Sequence, residues 1–311
     1  MSSELRIGLV GVGRDGPSSY HARSFSSILN GFDQARTPAD WPVHTIPVEG
    51  ARIATVWDDD VDAAAELANV FSIPRVAKSM EDVATDVDGV IVVDDLTMTH
   101  QRRARFFVEN GLATFVDKPL SSSPREAEEL LGLAERVGTL IMSTSALRYA
   151  RETTEAREQI EAAGRLRLAT AVCQGQYMGD DAVIHYGIHP LELAYSVLGS
   201  GAESVQNVGD GADHVIKIRY RDGRILVLMV FADIAQTFRL ALYGEHEAVT
   251  VVVEDWDFFY ASMLKTFVKM IREQTLPIPL PETLEIIRVL AAAKRSRASG
   301  GAEISIDPNT T

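Results

Sequence analysis

Leu5 to Gly16 reads LRIGLVGVGRDG, and it constrains the chain more than any other stretch. Branched apolar residues run from Leu5 to Val10 and then meet glycines, the pattern of a buried strand entering a tight turn. Gly11, Gly13 and Gly16 stand in the G-x-G-x-x-G spacing. One glycine permits the turn, a second lets a pyrophosphate approach the backbone, and the third lets the next helix pack close. That helix, predicted from Pro17, would offer free N–H groups and the positive end of its dipole to phosphates.

The second strand, Arg52 to Trp57, ends at Asp58-Asp59-Asp60. A carboxylate there can accept from both ribose hydroxyls and repels a 2′-phosphate, so Asp58 points to NAD over NADP. Asp59 or Asp60 suits the cap of the helix that follows. Asp58 lies further from the glycines than usual because residues 31–50, with Pro38, Pro42 and Pro47, insert what reads as a surface excursion. Strands then alternate with helices: Gly89–Val93 ending at Asp94-Asp95, a helix from about Thr99 to Asn110, Ala113–Val116 ending at Asp117-Lys118-Pro119, a helix opened by Ser123-Pro124-Arg125-Glu126, and a strand at Thr139–Met142. This is βαβ spacing, so residues 1–145 are expected to form a doubly wound parallel sheet.

After about Ala146 the rhythm changes. Arg167–Gln176, His214–Tyr220, Arg224–Phe231, Thr237–Tyr243 and Glu247–Val253 all read as strands, with a hairpin signal at Asp222-Gly223. Residues 146–311 are therefore expected to form a second, largely antiparallel sheet, closed by helices at about Trp256–Glu273 and Pro281–Ser299. DHVIKIRY and RILVLMVF carry apolar residues on more than one face, so the sheet should cover one face with a second copy, giving a homodimer or tetramer.

The net charge of −14 argues against nucleic acid as a partner. No apolar run is long enough to span a bilayer, and the N-terminus reads as a strand rather than a signal peptide, so neither a membrane nor a secretory route is expected. The single cysteine, Cys173, rules out an internal disulfide and sits in an alternating strand as a core thiol, which fits a cytoplasmic protein.

The dinucleotide turn, Asp117-Lys118-Pro119, and His185-Tyr186-Gly187-Ile188-His189 together resemble the Gfo/Idh/MocA oxidoreductases, which include glucose–fructose oxidoreductase and inositol dehydrogenase. Those proteins carry Glu-Lys-Pro after the fifth strand and Asp-x-Gly-x-His in the substrate helix. The stretch from His100 into Asp117-Lys118-Pro119, and SALRYA with Arg148, also match in order and spacing, and the likeness covers nearly the whole chain. The resemblance implies an N-terminal NAD(P)-binding domain and a C-terminal open sheet that lines the substrate site and makes the oligomer contact. It implies Lys118, His189 and His185 as catalytic residues. It implies a cofactor-binding set of Gly11, Gly13, Arg14 and Gly16 in the turn, Asp58 and Asp94 at strand ends, and His100, Asp117, Lys118 and Arg148.

There are departures. Asp117 replaces a glutamate, His21 stands two residues later than the family's spacing, and His185 occupies the place of an acid. A second register, Asp181 to His185, also sets an acid and a histidine four apart. Hydride transfer from an alcohol needs a group to take the hydroxyl proton. Lys118 would hold and polarise the substrate oxygen, and His189 would serve as base. His185, His189 and Glu192 share one helical face, as in a metal site, but Pro190 interrupts that helix and no metal is expected. The expected activity is NAD-dependent oxidation or reduction of a sugar, polyol or related hydroxy compound. A non-catalytic sugar-responsive regulator and an NAD-dependent glycosidase of the same fold are the alternatives.

Overall fold

The computed structural model describes residues 4–13, 17–93, 99–175 and 181–307. Arg14, Gly16 and Asp94 lie outside the described residues. The described chain divides into two compact units. The first comprises residues 1–121, 125–143 and 260–279, and the second comprises residues 122–124, 144–259 and 280–311.

The first unit is built on β1 (Leu5–Val10), β2 (Ala51–Trp57), β3 (Arg75–Val76), β4 (Gly89–Val92), β5 (Ala113–Val116) and β6 (Ile141–Met142). They form one parallel sheet in the order β3-β2-β1-β4-β5-β6, the dinucleotide-binding arrangement. β4 and β5 are buried along their whole length, as a sheet covered on both faces requires. The crossovers are α1 (Pro17–Asn30), α2 (Val61–Val70), α3 (His100–Glu109) and α4 (Pro124–Val137). Asp60 caps α2 by accepting from the N–H groups of Asp62 and Ala63.

Residues 31–50 are more than the expected surface excursion. Trp41 and Val48 are buried; Trp41 stacks on Phe71, and Val48 N–H donates to the Ile28 carbonyl. Few apolar residues spread among prolines show no period, so their anchoring role left no pattern to read.

The second unit contains α5 (Arg151–Gln159), β7 (Leu168–Gln174), α6 (Ala182–His185), α7 (Ile188–Leu198), β8 (Ala202–Asn207), β9 (His214–Tyr220), β10 (Ile225–Phe231), β11 (Phe238–Tyr243) and β12 (Ala248–Val252). It ends with α9 (Leu280–Ala298) and β13 (Ile304–Ser305), after α8 (Trp256–Glu273). The sheet order is β12-β11-β7-β10-β9-β8-β13, antiparallel except for the parallel pair β7–β10. Ala169, Ala171 and Cys173 of β7 are small and buried, leaving room for α7 to pack against the strand. Alternation along β10 buries Leu226, Leu228 and Val230 and leaves Ile225, Val227, Met229 and Phe231 half-buried on the other face.

The first sheet ends at Met142 and the second begins at Leu168, while α8 contributes residues to both units. Tyr260 to Pro279 group with the first unit. Phe267 packs on Phe115, and Phe267 and Ile271 close over Gly89, where a Cβ would meet both side chains. The helix's apolar pattern is legible in the sequence; the partner it packs against is not.

Candidate active site

The glycine turn follows β1 at the carboxyl end of the first sheet. Gly11 and Gly13 have φ of 83° and 64°, the left-handed region that glycine enters without strain. At Gly11 a Cβ would fall 1.8 Å from the Val93 carbonyl oxygen, so no larger residue fits. Asp58, at the end of β2, is 9% exposed and holds the turn. One carboxylate oxygen accepts from the N–H groups of Val12 and Gly13, and the other from Asp60 N–H at 2.7 Å. Arg103 of α3 lies against the Trp57 ring and pairs with Asp59 at 2.6 Å. Gly11, Gly13 and Asp58 thus come together. Gly11 and Gly13 carry no side chain to keep a pyrophosphate from the backbone, and α1 starts at Pro17.

At the end of β5, Asp117 and Lys118 are buried, 2% and 5% exposed. The Asp117 carboxylate accepts from Lys118 N–H at 2.9 Å through one oxygen and bonds His21 Nδ1 through the other. Lys118 and Pro119 are joined by a cis peptide. His100, the first residue of α3, bonds the Pro119 carbonyl oxygen through Nδ1 at 3.1 Å. In the sequence His21 stands out only as displaced along α1. The structure stacks it on Phe25 and sets its Nε2 3.4 Å from the Tyr260 hydroxyl.

Burial pushes the Asp117 carboxyl up, but the charge and hydrogen bond of His21, with Lys118 and His100 beyond, outweigh it and hold the group at about 2. An unfolded aspartate titrates near 3.9, so Asp117 contributes stability that is complete above about pH 4 and lost as the pH falls toward 2. Its share is about 2–3 kcal/mol by linkage. Urea unfolding at stepped pH should show a steep loss between pH 4 and 2 in the wild type and a shallower one in Asp117→Asn. Equal slopes would show that the carboxylate is not held in this way.

In the second unit, His189 lies in the first turn of α7. Its Nδ1 is 2.8 Å from Ser145 Oγ, and its ring faces Phe238 and Tyr186 at centroid distances of 5.7 and 6.5 Å. His185 ends α6 and is buried. Asp181, the acid of the alternative register, is exposed and pairs with Lys294 at 2.6 Å. Arg148 donates through Nε to Glu192 at 2.6 Å and through Nη1 to Glu282 at 2.7 Å. Glu192 also accepts from Thr144 Oγ1 at 3.2 Å. These pairs tie α7 and α9 to the Ala146–Tyr149 turn, and the two carboxylates keep the Arg148 guanidinium charged despite burial. Burial pushes the Cys173 thiol up, in keeping with a core thiol.

Residues 5–145 match the family described as Oxidoreductase family, NAD-binding Rossmann fold. They form a Gfo/Idh/MocA oxidoreductase domain. Two curated relatives extend the likeness. UDP-N-acetylglucosamine 3-dehydrogenase of Acidithiobacillus ferrooxidans is 24% identical over 214 residues, 67% of this chain and 59% of the relative. Trans-1,2-dihydrobenzene-1,2-diol dehydrogenase of Danio rerio is 23% identical over 205 residues, 60% of this chain and 61% of the relative. The matched part therefore spans about 60% of those relatives' length. The whole chain shares its fold with myo-inositol dehydrogenase of Lactobacillus casei, solved with NAD(H) and myo-inositol. The TM-score is 0.80 at 15% identity, covering 99% of this chain and 98% of that one. Myo-inositol 2-dehydrogenase of Lactobacillus plantarum gives 0.79 at 15% identity, covering 98% and 100%. No described helix is long and apolar enough to cross a membrane.

Proposed function

We propose that this protein is an NAD-dependent oxidoreductase that exchanges a hydride with a CH–OH carbon of a sugar, polyol or related small molecule. The observation that carries the reading is Lys118, buried at the carboxyl end of β5 in an NAD-binding Rossmann domain. Ligands of such sheets bind at that end. The nicotinamide, when bound, gives or takes the hydride. The protein's own part is to hold the substrate oxygen and manage its proton. Lys118 holds and polarises that oxygen, and His189 is the residue that the family resemblance implies for handling its charge. Gly11, Gly13 and the N-terminus of α1 would hold the pyrophosphate, and Asp58 the ribose.

The test is a panel of sugars and polyols with NAD⁺ and with NADP⁺, read by absorbance of the reduced cofactor. NAD⁺-linked turnover is expected with at least one polyhydroxy compound. If no compound turns over while NAD still binds, the regulator reading replaces this one, and His185 in place of an acid would be its structural basis.

NAD(H) should bind more tightly than NADP(H). On this reading the Asp58 charge would repel a 2′-phosphate, and Arg103, the cation that could welcome it, is already paired with Asp59. Equal dissociation constants for the two cofactors would show that Asp58 serves only the turn.

The chain is also proposed to associate through the second sheet. Leu168 and Val172 of β7, Ile225, Val227 and Met229 of β10, and Val215 of β9 share its half-exposed face. An apolar face of this kind calls for a partner, and a second copy is the one proposed. Light scattering at micromolar concentration should give a dimer or tetramer, and a stable monomer would contradict the assignment.

A further inference from the structure

We infer that Ser145 fixes neutral His189 in the tautomer that carries its hydrogen on Nε2. Ser145 is fully buried, the last residue before the Ala146–Tyr149 turn. Its hydroxyl oxygen accepts the Leu147 N–H at 3.3 Å and lies 2.8 Å from His189 Nδ1. Among the described residues the Oγ has no other partner. A backbone N–H can only donate, so the Leu147 bond takes a lone pair and leaves the Oγ–H to be placed. The acceptor within reach is His189 Nδ1. If Nδ1 carried the hydrogen instead, the serine would accept twice and its own O–H would be buried without an acceptor. That loss is enough to bias the two tautomers by roughly 5- to 100-fold. The nitrogen left for other partners is then Nε2, and it holds a hydrogen.

The functional consequence rests on the oxidoreductase reading above. A neutral His189 with hydrogen on Nε2 is a donor. It stabilises negative charge that develops on a substrate oxygen rather than taking that oxygen's proton. Ser145 is a positioning residue: it acts by choosing which face of the imidazole chemistry His189 presents. A carboxylate beside Nδ1 would choose the opposite tautomer, because it can only accept.

The tautomer can be read without any substrate, by long-range ¹H–¹⁵N correlation on the ¹⁵N-histidine-labelled protein at a pH above the imidazole's titration. His189→Gln identifies the signals among the seven histidines. The expected wild-type pattern is a protonated Nε2 and a bare, hydrogen-bonded Nδ1. Ser145→Thr should keep it, and Ser145→Ala should move Nδ1 to the shift of an unbonded nitrogen and populate the second tautomer. A wild-type His189 with its hydrogen on Nδ1 overturns the inference, with no variant needed. So does a Ser145→Ala spectrum identical to the wild type. If the tautomer is as expected but no hydroxy compound is turned over, the oxidoreductase reading fails alone.

Discussion

Lys118→Ala is expected to lower kcat/KM by roughly 10⁴-fold, the combined scale of losing a proton-handling group and a charge stabiliser. NAD binding should be little changed. The lysine's backbone helps anchor the segment. Lys118 N–H donates to Asp117, and Asp117 is in turn bonded to His21. Those two bonds survive removal of the side chain. The glycine turn and Asp58 keep their own hydrogen bonds, none of which involves Lys118. His189→Ala should cost less, about 10²–10³-fold, as for one lost donor to a developing oxyanion. The measurements are steady-state kinetics on the best substrate of the panel and titration calorimetry with NAD. A Lys118→Ala enzyme within about tenfold of wild type would remove the lysine from the chemistry altogether.

The second large effect concerns stability. Arg148→Met should destabilise the second unit by about 3–5 kcal/mol, because it leaves Glu192 buried without its charge partner. Glu192 is 2% exposed and would keep only Thr144 as a donor from this cluster. Burial already pushes its carboxyl up, with Arg148 opposing that rise, so the unpaired acid would take up a proton or unfold the site. Adding Glu192→Gln to Arg148→Met should recover much of the loss, since the buried charge goes with it. Thermal and urea unfolding decide this, and NAD affinity serves as the control. An Arg148 that served the cofactor would lose affinity on substitution while the melting temperature held.

β4 and β5 were legible because they are buried on both faces and read as unbroken apolar runs between turn residues, whereas β3, only Arg75 and Val76 and partly exposed, gave no such run. The glycine turn and Asp117-Lys118-Pro119 were legible for a related reason: a backbone that must approach a ligand or turn sharply admits few residue types. Partnership was not legible. Nothing in the spacing announces that Arg148 meets Glu192 and Glu282, or that Ser145 meets His189, because these contacts join residues 44 and 134 positions apart. Tertiary proximity of that range leaves no local period. Trp41 and His44 show the same limit inside the loop, where single buried side chains among prolines carry the packing.

The assignment of Tyr260–Pro279 to the first unit bears on how the protein emerges from the ribosome. All six strands of the first sheet are complete by residue 142, yet the segment that covers Gly89 and packs on Phe115 is made more than a hundred residues later. Until then the nascent sheet keeps apolar surface uncovered while β7 to β12 of the second sheet are synthesised. The first unit is thus first in sequence but is completed only at residue 279, after most of the second has been made. Its closure depends on contacts of high sequence separation, which form slowly and leave intermediates open to aggregation. A fragment ending near residue 145 would lack that cover permanently. The two units are separable in their sheets and inseparable in their synthesis.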